Sequence, residues 1–295
     1  MHVFIYNLNM RKIIVNNKFD NKKIQAFLQF NFNGLSSSVF FKTLRKKDIK
    51  VNGKRISDNI TIHENDIVEI YLDDRFLFPT LKLDIIYEDD NILVVNKPTN
   101  IEVLNYSDQS LTTLIQQRYN LYNNFPYPCH RLDRNTCGLI IYAKNKEALD
   151  ILNNKILNHE ILKFYKCTVV GIPNKKETTL IDYLFKDSKK SIVYISNTQK
   201  QGYKKIITSY KVIQEDIKNN LSTLEVELHT GRTHQIRAHL AHVGFPILGD
   251  GKYGINEINK KFNKKTQKLE AYKLIFNFET DAGILNYLNR KEFKI

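Results

Sequence analysis

The chain has 295 residues, of which 42% are hydrophobic and 26% are charged, which is close to globular averages and argues against a fully disordered chain. Only 11 Gly and 6 Pro are present, too few for a collagen-like or proline-rich architecture. No apolar run reaches the roughly 18 residues of a membrane span, and the N-terminus shows no secretory signal, so we expect a cytoplasmic protein with no membrane partner. The three cysteines predict reduced thiols, not a disulfide framework or a zinc ribbon.

The chain is strongly basic, with 45 Lys and Arg against 31 Asp and Glu and a formal net charge of +14. A surplus of this size attracts polyanions, because each phosphate that meets a Lys or Arg releases a condensed counterion. Many lysine-rich chains carry no such function, so charge alone leaves nucleic-acid binding open.

Residues 1–75 are predicted to form a small separate domain. Apolar residues at helical spacing indicate a helix over 22–30, and serines at 36–38 offer an N-cap for a second one. A hairpin with the turn Asn52-Gly53 and a strand at 66–72 follow. Four basic residues, here called the basic cluster, lie at the end of the second helix: Lys42, Arg45, Lys46 and Lys47. Such a cluster is either a solvated face or an RNA contact, and its place beside a predicted turn favours RNA.

A linker is expected at 73–79, and residues 76–295 are predicted to form a second domain. Strand-like runs outnumber helical ones and do not alternate regularly with them, which indicates an α+β domain with a mostly antiparallel mixed sheet. The predicted strands are 84–87, 92–95, 139–143, 164–170, 208–213, 223–228 and 273–278, and the predicted helices are 111–119, 146–157 and 233–243. Residues 186–205 are expected to form a surface loop or hairpin, and 260–268 an exposed segment.

One candidate site is the segment from His130 to Gly138, between a proline-containing loop and a buried-looking strand. Asp133 lies between Arg131 and Arg134, and neighbouring guanidinium groups favour the charged form of a carboxyl group. Such an aspartate suits a nucleophile or a base. It also suits a purely structural ion pair that holds a loop, and these residues alone favour the structural interpretation.

A second candidate is the segment from His229 to His242, in which a glycine after a strand leads into a helix. This arrangement directs backbone N–H groups toward an anion. Four of the chain's eight histidines lie here, but no acidic residue and no metal-ligand spacing accompany them, so we expect no metal. Contacts with phosphates and bases by Arg232, His234 and Arg237 fit this basic chain better.

Together the two segments resemble the RluA-type pseudouridine synthase family. Its H-R-L-D-x-x-T-x-G signature stands at 130–138 and its G-R-T-H-Q-I-R at 231–237. A K-P turn at 97–98, a K-x-Y motif at 163–165 and a P-x-x-G-D…Y-G segment at 246–254 follow the family's order. The resemblance spans about 81–290, and residues 20–72 resemble an S4 RNA-binding domain. Departures are Asn100 for a usual glycine, Leu104 near a common histidine, and Cys137 for Ser or Thr.

The resemblance implies an enzyme that isomerises uridine to pseudouridine in RNA without a cofactor. Asp133 would be the catalytic carboxylate, held by a bidentate Arg237, with Tyr165 against the uracil ring. Ile236 would pack beneath the base and Arg131 would fill the gap left by a flipped nucleotide. His130 and His234 would support the loops or contact RNA. The carboxylate could attack the sugar, attack the base or remove a 2′ proton, and the residues do not separate these routes.

The substrate expected from the S4-bearing relatives is large-subunit ribosomal RNA, with transfer RNA possible and the particular uridine undetermined. The protein is expected to be a monomer. One alternative is a catalytically inactive RNA-binding or ribosome-assembly protein on the same fold. A second is a metal-dependent nuclease that uses the histidines of 229–242.

Overall fold

The computed structural model describes residues 10–32, 34–77, 83–104, 110–118 and 125–295. The chain divides into two compact units, Met1–Lys82 and Leu83–Ile295. The domain boundary expected from the sequence falls a few residues before this division. Within the described residues, no helix is both long enough and apolar enough to cross a membrane.

The N-terminal unit combines short strands with two packed helices. Its elements are β1 (Met10–Ile14), β2 (Lys22–Lys23), α1 (Ile24–Asn31), α2 (Ser37–Arg45), β3 (Ile49–Val51), β4 (Lys54–Arg55), β5 (Thr61–Ile62), β6 (Ile67–Tyr71) and α3 (Asp74–Leu77). Strands β1, β6, β3 and β4 form an antiparallel sheet in that order, and β2 pairs with β5. The first predicted helix begins later than expected because Lys22 and Lys23 pair with Thr61 and Ile62 as a strand.

Helix α2 carries the basic cluster on its outer side. The hydroxyl of Ser36 accepts a hydrogen bond from the Val39 N–H and caps the helix, as the serine run predicted. Phe40 and Leu44 are buried in the core of this unit. The four residues of the basic cluster are all exposed. Amphipathic packing therefore leaves the cluster facing solvent at the end of α2.

The C-terminal unit is built on one large mixed sheet. Its elements are β7 (Asp84–Glu88), β8 (Ile92–Lys97), α4 (Leu111–Arg118), β9 (Tyr127–Pro128), β10 (Cys137–Ala143), α5 (Lys146–Leu157), β11 (Ile161–Val170), β12 (Glu177–Asp187), β13 (Ile192–Ser196), β14 (Lys204–Asp216), β15 (Leu221–Leu228), α6 (Gln235–His242), α7 (Asn256–Lys261), β16 (Leu269–Phe276) and β17 (Glu292–Lys294).

The order of this sheet is β13-β12-β14-β15-β11-β16-β10-β8-β7, with β17 beside β16 and β9 beside β10. Among the described strands, the pair β10 and β16 is parallel and every other pair in the sheet is antiparallel. This confirms the predicted α+β class with a mostly antiparallel mixed sheet. Gly138 lies at the parallel pair with φ of 114°, and a Cβ there would come within 2.3 Å of the Ala271 carbonyl oxygen, so only glycine fits.

Several predicted segments differ from the structure. The expected linker at 73–79 contains α3, and residues 78 and 79 lie outside the described residues. Residue 119, at the end of the helix expected over 111–119, also lies outside them. The polar segment 186–205 contains the turn and second strand of the β12–β13 hairpin, as predicted, but the first strand begins at Glu177 and was not predicted. Only Asp182 and Leu184 of β12 are buried, so the strand carries little of the alternating apolar signal by which a half-buried strand is recognised.

Two arrangements position the site. Helix α6 packs on β12, β13 and β14, where Ala238 joins a buried cluster with Leu184, Val193 and Ile206. The loop between β9 and β10 leads directly into β10, whose residues from Gly138 to Ala143 are buried. A loop on a rigid strand and a helix on the same sheet can therefore bring distant side chains together.

Candidate active site

Asp133 lies in the loop between β9 and β10, and backbone contacts fix that loop. The Cys129 N–H donates to the Ile141 carbonyl at 2.9 Å, and the Thr136 N–H donates to the Asp133 carbonyl at 3.0 Å. The Nε2 atom of His130 accepts the Ile141 N–H at 3.1 Å. Burial lowers the pKa of His130 to about 3, so its ring is neutral and serves as a loop support.

A buried lysine joins this loop to the K-P turn. The Lys97 ammonium donates to the carbonyl oxygens of Pro98 at 2.9 Å, Ile101 at 2.8 Å and Arg134 at 3.1 Å. Burial lowers the pKa of Lys97 to about 8. Asn100 adopts a φ of 66°, so the turn survives without the family's glycine, as expected. The sequence indicated the turn and did not indicate that Lys97 holds the loop of Asp133.

Helix α6 brings Arg237 to Asp133. Its Nη1 atom donates to Asp133 Oδ2 at 2.8 Å. The Nε and Nη2 atoms donate instead to the two oxygens of Asp250, at 2.6 and 2.9 Å. The expected bidentate grip on Asp133 is therefore wrong: the fork binds Asp250, and Asp133 receives one N–H. Among the described residues, Oδ1 of Asp133 accepts no hydrogen bond.

The flanking arginines of the motif play a different part from the one their position suggested. Within the described residues, Arg131 and Arg134 form no ion pair with Asp133. Both are exposed, and both line a cleft beside it. The ion pair of Asp133 is the one with Arg237 that the resemblance implied, between two motifs about a hundred residues apart, because the fold brings α6 over the loop.

Asp250 is fully buried and satisfies four donors. Besides Arg237, the backbone N–H groups of Lys252 and Tyr253 donate to it at 2.8 and 3.1 Å. Although burial alone raises a carboxyl pKa, the hydrogen bonds and charge of Arg237 hold the pKa of Asp250 below its usual range. The same contacts outweigh burial and raise the pKa of Arg237. Asp250 stood in the recognised P-x-x-G-D segment, but only the fold reveals its partner.

His234 forms a second branch of the site. It adopts left-handed backbone geometry with φ of 53° just before α6. Its Nδ1 atom lies 2.9 Å from the Tyr253 hydroxyl, and its Nε2 atom lies 3.9 Å from Asp133 Oδ2. Burial lowers the pKa of His234 to about 4, so the ring is neutral near pH 7. The uncharged imidazole of His234 therefore lies beside the Asp133 carboxylate without balancing its negative charge.

Tyr165 on β11 and Ile236 on α6 complete an inner pocket of about 70 Å³ around Asp133. Both side chains are 5% exposed. Burial and the nearby charge of Asp133 raise the pKa of Tyr165, so its phenol stays protonated. The inner pocket thus offers an apolar side chain, an aromatic ring and a carboxylate together. The predicted residues that line it are Arg131, Asp133, Tyr165, Arg232, His234, Ile236 and Arg237.

A larger cleft of about 880 Å³ adjoins the inner pocket and shares Asp133, His234 and Arg237 with it. His130 also lines this cleft. Besides Arg237, five lysines and arginines are spread over its walls: Arg131, Arg134, Lys186, Lys252 and Lys265. A basic cleft that ends on a carboxylate suits a polyanionic substrate whose reacting group enters the inner pocket. The basic cluster at the end of α2 belongs to the N-terminal unit.

The histidines of 229–242 do not converge. Each ring pairs elsewhere: His229 with Ser209, His234 with Tyr253, His239 with Thr208 and Asp182, and His242 with Asn197. Over the described ranges, no three potential metal ligands come together. The geometry of these side chains gives the metal-dependent nuclease no support.

The chain is similar to known proteins over most of its length. Residues 91–242 match the family model described as RNA pseudouridylate synthase. An uncharacterized RNA pseudouridine synthase of Mycoplasma capricolum is 35% identical, over 96% of both chains. Ribosomal large subunit pseudouridine synthase C of Buchnera aphidicola is 31% identical, over 87% of this chain and 86% of the relative.

A solved structure shares the fold. Human RNA pseudouridylate synthase domain containing 1 superposes with a TM-score of 0.58 at 24% identity, covering 68% of this chain and 81% of that one. The relatives do not support the alternative of an inactive assembly protein. The matched model and the full-length similarity show that this chain belongs to the RNA pseudouridine synthase family and is an isomerase that acts on RNA.

Proposed function

We propose that Asp133 is the catalytic carboxylate of this enzyme and that a uridine extruded from RNA meets it in the inner pocket. The observation that carries the proposal is the 2.8 Å contact of Arg237 with Oδ2, which leaves Oδ1 of Asp133 without a hydrogen bond from the described residues. Arg237 thus holds one carboxylate oxygen, and the other is available to the substrate. A carboxylate held in this way can act as nucleophile or base.

The proposed reaction is an isomerisation and changes no net atoms. The C1′–N1 bond of uridine breaks and a C1′–C5 bond forms. A proton leaves C5, and one is gained at N1. Attack by Asp133 on the sugar, attack on the base and removal of a 2′ proton all fit this balance. Each route needs the carboxylate beside an unstacked nucleotide, and extrusion of the base meets that need.

The other residues of the inner pocket have proposed roles that follow from their chemistry. The protonated Tyr165 offers its ring to the uracil face and its hydroxyl to the carboxylate region. Ile236 supplies an apolar floor for the base. Arg131, exposed at the mouth of both cavities, takes the place of the flipped nucleotide in the RNA. Arg232 and His234 border the pocket, where they contact the RNA.

We propose that the N-terminal unit is an S4-like RNA-binding domain. Its helices α1 and α2 share a core with a small sheet, and the basic cluster Lys42, Arg45, Lys46 and Lys47 lies exposed at the end of α2. These residues would contact phosphates of structured RNA, which is recognised chiefly through shape and backbone. The C-terminal unit would then select the nucleotide.

We infer that the substrate is large-subunit ribosomal RNA, because the relative from Buchnera aphidicola is named for that subunit. An enzyme that modifies ribosomal RNA would act in the cytoplasm. Asp133, Tyr165 and Arg237 come from one chain, so a monomer contains the whole proposed site. Transfer RNA is the second candidate substrate.

Mapping of pseudouridine tests this proposal. Ribosomal and transfer RNA from a deletion strain is compared with RNA from the parent strain, and purified enzyme is then added back. We expect a ribosomal site that is lost on deletion and restored by the native enzyme, but not by Asp133→Asn. Loss of a site in transfer RNA alone would overturn the ribosomal assignment, and no lost site in either RNA would overturn the proposed activity.

A further inference from the structure

A second groove lies beside the catalytic cleft, and most of the residues that line it belong neither to the cleft nor to the inner pocket. Its volume is about 580 Å³. One wall is the loop of residues 263–268, here called the lysine loop, and the floor includes Thr168 and Thr223, which face each other across β11 and β15. Lysines and hydroxyls together are the groups that proteins commonly present to nucleic-acid phosphates.

The second groove and the catalytic cleft are neighbours. Lys265 and Gln267 line both of them, so the lysine loop forms the ridge between the two. Thr99, just after the K-P turn, borders the groove, and Glu102 borders the cleft. A strand that leaves the cleft over this ridge therefore enters the second groove directly.

Hydrogen bonds and a close backbone contact hold the second half of the lysine loop, Thr266 to Lys268, against the rest of the unit. The Lys268 N–H donates to the Leu248 carbonyl at 2.8 Å, and the Lys268 carbonyl accepts the Thr168 N–H at 3.1 Å. The buried Gln267 amide donates to the Thr136 hydroxyl at 2.6 Å, which ties the loop to the segment of Asp133. At Gly249, a Cβ would lie 2.1 Å from the Thr266 carbonyl oxygen. An anchored backbone presents its lysines at little entropic cost.

The charge of the groove is mostly positive. Lys264, Lys265 and Lys268 have no acidic partner among the described residues, and all three side chains reach solvent. Lys166 lies over the Tyr272 ring at 4.4 Å. The acid that lines the groove is Glu270, which accepts a contact from Cys137. Three unpaired lysines above one acid favour a polyanion over an acidic or apolar partner.

We propose that the lysine loop and the second groove bind the sugar–phosphate backbone of the substrate RNA where it runs on from the target uridine. This inference rests on RNA as the substrate of the neighbouring cleft. RNA held in the cleft is presented to the groove at high effective concentration, whereas a free acidic protein gains no such advantage. The lysine loop would thus extend the footprint of the enzyme by several nucleotides.

The test compares RNA lengths. Oligouridylates of about five and about fifteen nucleotides are bound to native enzyme and to Lys264→Ala/Lys268→Ala between about 50 and 200 mM KCl. Both substituted lysines line the groove and not the cleft. The matched control is Lys175→Ala/Lys218→Ala, which removes the same charge from exposed positions that line neither cavity. Circular dichroism confirms folding of each protein.

We expect the salt slope of the longer RNA to fall by about 1.4, since each phosphate contact to a single strand contributes about 0.7. The salt slope of the short RNA, and both slopes of the control variant, should not change. The inference would be overturned if the salt slope fell equally for both RNA lengths, fell equally in the control variant, or did not fall at all. Failure of native enzyme to modify ribosomal RNA would instead refute the proposed substrate, whatever the slopes.

Discussion

Arg237 reaches Asp133 through one nitrogen, with Nη1 at 2.8 Å from Oδ2, because Asp250 occupies its other two donors at 2.6 and 2.9 Å. The guanidinium is thereby fixed in orientation as well as in charge. One oxygen of Asp133 is bound, and the other accepts no hydrogen bond from the described residues. The proposed catalysis depends on this division between a held oxygen and an available one.

Arg237→Lys should reduce turnover by about 10²-fold, because an ammonium keeps the charge but cannot span Asp133 and Asp250 in one plane. RNA affinity should stay nearly unchanged, since the guanidinium lies at the base of the pocket. Single-turnover kinetics and a binding titration separate the two effects. The exposed Arg290→Lys serves as control, and equal turnover in the two variants would refute the role of the fork.

Asp250→Asn should lower turnover by about 10²-fold through misplacement of Arg237, with the affinity for RNA retained. The control is Glu160→Gln, because Glu160 is also buried and accepts Lys155, two backbone N–H groups and a hydroxyl far from the site. Each substitution breaks a buried ion pair and should cost about 3–5 kcal/mol of unfolding free energy. If turnover per folded molecule fell equally in both, Asp250 would have no role beyond stability.

The sequence predicted much of the fold and many members of the site, but not all of the contacts between them. Lys146–Leu157 was predicted as a helix with the observed bounds, and in the structure the Asn145 side chain caps its first turn. Strand β12 was missed because it is half exposed. The resemblance predicted the contact of Arg237 with Asp133 but not the contact with Asp250, which takes the other two donors because of the way α6 packs. For the same reason, the sequence did not predict that the buried Lys97 holds the loop of Asp133.

Acidification should destabilise the protein through His130. An unfolded histidine binds a proton below about pH 6.5, whereas the folded ring, with its pKa lowered to about 3 by burial, does not. The free energy of unfolding therefore falls as pH drops from 7 toward 3, by about 2 kcal/mol for this group between pH 7 and 5. Urea unfolding of native protein and His130→Gln at both pH values should reveal this difference, and an identical loss in the variant would contradict it.

Alanine at Lys42, Arg45, Lys46 and Lys47 should weaken binding of structured RNA and flatten its salt slope by about 3, if all four contact phosphates. Turnover at saturating RNA should change little, because the cluster lies outside the proposed pocket. A control with alanine at Lys146, Lys175, Lys218 and Lys294 removes the same charge from other exposed positions. An unchanged slope, or the same change in the control, would make the basic cluster a solvated face.

The most direct measurement is single-turnover release of tritium from ribosomal RNA labelled at uridine C5, with native enzyme and with Asp133→Asn. The asparagine keeps the size of the side chain and removes its charge, so we predict a loss of at least about 10³-fold in rate, with RNA affinity within about twofold. Release at even a tenth of the native rate by a correctly folded Asp133→Asn would show that this carboxylate does not perform the reaction.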